Sequence, residues 1–74
     1  MSLFVEIHEG DVYCWDGEMP GEPVVGDVMW LQKTDTVGFR AYRVESREWR
    51  MNHNEVWWLC LWVKELPERG LRPI

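Results

Sequence analysis

The segment Val56-Trp57-Trp58-Leu59-Cys60-Leu61-Trp62-Val63 is the feature that most constrains this chain. It is the length of a strand and far short of the ~18 consecutive apolar residues of a membrane span. Side chains of a strand alternate between its two faces. Trp57, Leu59, Leu61 and Val63 therefore share one face, and Val56, Trp58, Cys60 and Trp62 share the other. Neither set is polar, whereas a half-exposed strand carries polar residues on one side. The segment is read as a central strand that needs cover on both faces. A chain of 74 residues has little material to supply it. Either the protein's own hairpin covers the second face, or another molecule does.

The rest of the chain reads as shorter strands divided by turn residues. Leu3, Val5 and Ile7 alternate with Phe4, Glu6 and His8, a period of two. Glu9-Gly10 is a turn signal, and Asp11 to Trp15 returns as the second arm of a hairpin over 3–15. Asp16 to Pro23 is a loop, because its prolines remove ladder donors. Val24 to Leu31 is the next strand, kinked at Gly26-Asp27, and 33–38 is a polar turn. Asn52-His53-Asn54 is turn chemistry before the final strand. Pro67 ends that strand and 67–74 is a tail.

The segment 39–51 is open to two readings. Tyr42, Val44 and Ser46 share one parity, while Trp49 and Met51 share the other, so a strand holds both apolar sets inward only with a bulge near Ser46-Arg47. A helix is the competing reading, because Arg40, Arg43, Arg47 and Arg50 fall at i, i+3, i+7 and i+10. Glu45 and Glu48 spoil its opposite face, which favours the bent strand. The expectation is one mostly-β domain over 1–74, with barrel strands across 24–66: a small barrel of five to six antiparallel strands, with α+β as the alternative.

Pro23-Val24-Val25-Gly26-Asp27-Val28, followed by Tyr42-Arg43-Val44 and Trp49, resembles a pattern of SH3-like small barrels. Tudor-type domains and small bacterial and phage proteins share this rhythm. The resemblance spans roughly 23 to 66 and implies a fold, because small barrels host many unrelated functions. Small reductases built on an SH3-like barrel carry a glutamine-containing active-site strand, which has no counterpart here.

Composition narrows function. Thirteen acidic residues against eight basic ones give a net charge of −5, which offers no general attraction to a phosphate backbone. Arg40, Arg43, Arg47 and Arg50 around Trp49 form a mix that single-stranded nucleic acid uses. The interleaved Glu45 and Glu48 favour an internally paired face instead. An aromatic cage for a methylated cation requires Trp30, Tyr42 and a final-strand Trp to converge beside an acid. Cys14 and Cys60 are too few for a disulfide framework. With His8 and His53 they lack the close pairing of structural zinc sites, so neither metal nor cofactor is expected. Ser2 and Ser46 are the only serines, no glycine-rich phosphate loop is present, and a small enzyme is the least favoured reading. The N-terminus lacks a basic region and a long apolar stretch, so the expected location is cytoplasmic.

On the final strand, Leu59, Leu61 and Val63 are the better core residues. Trp58 and Trp62 carry an indole N–H that needs a partner, and Trp is enriched at interfaces. Trp58, Cys60 and Trp62 are therefore the expected contact face, and a second copy of the chain is the simplest partner. The reading is a non-catalytic accessory protein that binds another protein.

Overall fold

The computed structural model describes residues 3–32 and 38–72. The protein is mostly β: β1 (Leu3–Glu9), β2 (Val12–Met19), β3 (Val28–Leu31), β4 (Phe39–Met51), β5 (Trp57–Glu65), a 3₁₀ turn (Pro67–Arg69) and β6 (Leu71–Arg72). The strands form one sheet in the order β2-β1-β5-β4-β3, with β6 also pairing with β4. The sheet curls into a half-barrel. The doubly apolar segment, β5, is the central strand of that order, as its composition requires. The polar turn expected over 33–38 lies outside the described residues except for Gly38.

One pairing departs from the all-antiparallel expectation: β1 and β5 are parallel, with Val5 opposite Leu59, Glu6 opposite Cys60, Ile7 opposite Leu61 and His8 opposite Trp62. The physical reason is burial. This register sets Val5 and Ile7 beside Leu59 and Leu61 on one face, and all four are fully buried. Each such side chain contributes about 1.5–3 kcal/mol on burial. Tyr42, Val44, Met29 and Val63 complete the core.

The segment 39–51 is a strand and not a helix. Its register against β5 slips between Val44 and Ser46, so that Val44 faces Val63 and Ser46 faces Trp62. The slip leaves Glu45 as the extra residue of a bulge. Tyr42 and Val44 before it, and Trp49 and Met51 after it, thereby fall on the same face as Leu59 and Leu61. The turn Val24–Asp27 docks at this bulge: Gly26 N–H donates to Val44 O at 2.9 Å, and Val44 N–H donates to Asp27 O at 2.9 Å. Asp27 also ties the turn internally, accepting from Val24 N–H at 2.9 Å. The regular strand consequently starts at Val28, later than the sequence suggests.

The first hairpin also runs beyond residue 15, to Met19. Asp16 to Met19, expected in a loop, extend the strand instead: Gly17 pairs with Val5 and leaves room for the Trp15 ring, which a Cβ at Gly17 would meet at 2.7 Å. At the other end of the chain, Leu71 and Arg72 pair with Arg40 and Phe39. Gly38 is buried there with φ 112°, and any Cβ would collide with the Arg72 carbonyl. Among the described residues no helix is long and apolar enough to cross a membrane.

Candidate functional site

Strand alternation and the register give the face of the sheet opposite the core its composition. Asp16, Glu6, Cys60 and Glu48 form one row across β2, β1, β5 and β4; Tyr13, His8, Trp62 and Ser46 form the next. Trp58, Cys60 and Trp62 therefore share a face, as their parity demands. Their exposures differ. Cys60 is fully buried, while Trp58 and Trp62 are half-buried. The cover comes from β1, β2 and β4 of the same chain. The His8 ring stacks on Trp62, with centroids 5.8 Å apart and planes 22° apart. Tyr13 meets the same His8 edge-on at 5.8 Å. The Arg50 guanidinium lies 5.5 Å from the Trp62 ring centroid, a cation–π contact, and donates to Glu48 at 2.8 Å.

Within that cover Glu6 and His8 form a compact polar cluster with Cys60. His8 Nε2 lies 2.6 Å from Glu6 Oε2, and Cys60 Sγ donates to the same oxygen at 3.4 Å. The hydrogen bond from His8 holds the Glu6 carboxyl below its ordinary range. Burial, followed by the hydrogen bond to the Glu6 carboxylate, pushes the Cys60 thiol up, and the nearby Trp58 indole acts in the other direction. At the margin, the hydrogen bond to Asp16 pushes the Tyr13 phenol up to about 12. The ligating atoms of Glu6, His8 and Cys60 all lie within 4.8 Å of one another.

Next to the cluster, Phe4, Glu6, Asn52, Val56, Trp57 and Trp58 line an open cleft of about 380 Å³. Its far wall is the β4–β5 turn, which Asn52 organises: the Asn52 Oδ1 accepts from Asn54 N–H at 2.8 Å and from Val56 N–H at 3.2 Å. This end of the sheet carries five of the twelve large apolar side chains that the fold leaves exposed among the described residues. Trp57 is 56% exposed, Val56 55%, Met51 49%, Phe4 45% and Trp49 44%. Met51 is directly opposite Trp57, and Trp49 opposite Leu59. Trp49, Met51 and Trp57 thus continue the core face past the point where β3 and its preceding turn reach over it.

The arginines do not form a stripe. The bulge sets Arg40 and Arg47 on the parity of the core face and Arg43 and Arg50 on the other. Arg40 pairs with Glu65 at 3.4 Å. Arg47 pairs with Glu22 and donates to Pro23 O at 3.0 Å, and Arg50 pairs with Glu48. The cage residues do not converge either, since Tyr42 is fully buried in the core and Trp30 is covered by the Arg72 guanidinium at 4.6 Å. Of the four residues weighed for zinc, only His8 and Cys60 meet. Cys14 packs against the core, and His53 is exposed in the β4–β5 turn.

Sequence reasoning passed over Glu6. The signal was available in Glu6-x-His8, two polar residues on one face of an otherwise apolar strand, but their position beside Cys60 depends on the parallel pairing. No protein-family model, no curated protein and no solved structure matches the chain.

Proposed function

We propose that this protein is a non-catalytic binding module of SH3-like barrel type that associates with a second copy of itself through the open end of the β4–β5 hairpin. One observation carries the reading: Trp49, Met51 and Trp57 stand exposed on the core face at the end of the β4–β5 hairpin, and the exposed Val56 and Phe4 line the cleft beside Trp57. Small proteins seldom leave such a patch in water unless it binds something. An apolar patch is chemically complementary to its own copy, and two-fold dimers are the commonest assemblies. For a chain this short, association also adds buried area that the single core lacks. Two free thiols fit a cytoplasmic setting.

Sedimentation equilibrium tests the proposal. The wild-type protein is expected to dimerise, and the dimer to persist at high salt, because apolar association does not depend on counterion release. Trp57→Glu is expected to give a folded monomer, since Trp57 stands mostly outside the core. A wild-type protein that stays monomeric at high concentration refutes the proposal. Association that weakens steeply with salt, or that needs added oligonucleotide, favours a nucleic-acid module instead.

A further inference from the structure

We infer that Glu6, His8 and Cys60 form a binding site for a divalent transition-metal ion of the zinc class. The site is created by the parallel pairing of β1 with β5. Glu6 and His8, two apart on one strand, project on the same face, and the register sets Cys60 directly opposite Glu6. Their ligating atoms lie within 4.8 Å of one another. Tetrahedral zinc with bonds of about 2.0–2.3 Å needs its ligand atoms roughly 3.3–3.8 Å apart. The Cys60–Glu6 separation of 3.4 Å already meets that need. The 2.6 Å His8–Glu6 hydrogen bond must open by about 1 Å, and His8 and Cys60, within 4.8 Å, must close by up to about 1 Å, both met by a rotation of the partly exposed His8 and Glu6 side chains.

The donor chemistry fits. Thiolate, imidazole and carboxylate together suit zinc better than magnesium or calcium, which prefer all-oxygen sets. A carboxylate and a thiolate bring two negative charges, matching a dication, and the thiol proton leaves to solvent when the metal–sulfur bond forms. Three protein ligands leave the fourth position to water.

A separate observation supports a thiolate here. The Trp58 indole Nε1 is buried without a well-formed hydrogen bond among the described residues, yet it lies near enough to Cys60 to favour the thiolate. A buried donor left without an acceptor is costly. As a thiol, Cys60 directs its proton at Glu6. As a metal-bound thiolate it becomes an acceptor beside that indole. Trp58 is thereby a positioning residue for the sulfur, and the His8 ring is held in place by its stack on Trp62.

Cobalt(II), which gives a thiolate charge-transfer band in the near ultraviolet, is the probe. The full-length protein is expected to take up one equivalent of cobalt with that band, and zinc to displace it. Cys60→Ser is expected to abolish the band, and Cys14→Ser and His53→Ala to leave it unchanged. Glu6→Gln and His8→Ala should each weaken cobalt binding by at least about tenfold, and Trp58→Phe by about tenfold. Should Cys60→Ser fail to fold, the half-exposed Glu6 and His8 positions still decide. The absence of a thiolate band under excess cobalt, a band that survives Cys60→Ser, or affinity unmoved by both Glu6→Gln and His8→Ala overturns the assignment. Cobalt binding is read on the monomer of Trp57→Glu as well, so the outcome is separable from self-association.

Discussion

The two faces of β5 are built from similar numbers of apolar residues and solved in different ways. On one face Leu59, Leu61 and Val63 interlock with Val5, Ile7, Val44 and Tyr42, and water is excluded. On the other, Cys60 is just as buried, but its cover is polar and aromatic: Glu6, His8, Tyr13 and Arg50. Aliphatic side chains close a face by packing. Trp58 and Trp62 stay half-buried there, and the Trp62 ring is stacked on His8 and capped by the Arg50 guanidinium. What remains uncovered on the core side is the end of the hairpin, where the sheet outruns the strands that fold over it.

The largest effect expected is on the aliphatic face. Leu61→Ala removes a fully buried side chain and should destabilise by about 2–5 kcal/mol; in so small a domain, thermal melting should show it unfolded or nearly so. An intermediate effect belongs to the opposite face. Trp62→Ala loses its stack with His8 and its contact with Arg50, and should lose about 1–2 kcal/mol from those interactions and partial burial. Equal losses at the two positions in denaturant titrations would break the contrast between a packed face and a capped one.

The smallest effect sits at the edge of the polar cover. The hydrogen bond to Asp16 pushes the Tyr13 phenol up to about 12 in the folded protein, against about 10 when unfolded. A pKa raised by folding stabilises the native state fully below the unfolded value, and the contribution disappears as pH rises from about 10 to about 12. Asp16→Asn should bring the phenolate absorbance transition of Tyr13 down toward 10 and abolish that alkaline component of stability, with little change near neutral pH.

Much of this contrast is legible in the sequence. The opposed parities of Tyr42 and Val44 against Trp49 and Met51 demanded a bulge, and the register slip at Glu45 supplies it. The aliphatic character of Leu59, Leu61 and Val63 pointed to the core, where they lie. Strand alternation is a local rule, so it survives ignorance of the partner strand. The parallel neighbour of β5 was not legible, because hairpin signals specify only strands adjacent in sequence. With that neighbour unknown, Glu6 and His8 have no known place beside Cys60, and the sequence leaves open whether the protein's own hairpin or another molecule covers the second face. The exposed end of the hairpin escaped notice for a related reason: periodicity places Trp57 on the core face but says nothing of how far that core extends.

The claim that this end of the sheet, rather than the Trp58–Trp62 face, meets the second copy is tested most directly by the six tryptophan indole resonances in a proton–nitrogen correlation spectrum recorded over a dilution series. The indole signals of Trp49 and Trp57 should move with concentration and return to monomer positions in dilute solution, while that of Trp62, away from the cleft, stays fixed. Shifts confined to Trp58 and Trp62, or no concentration dependence at any indole, would contradict the account.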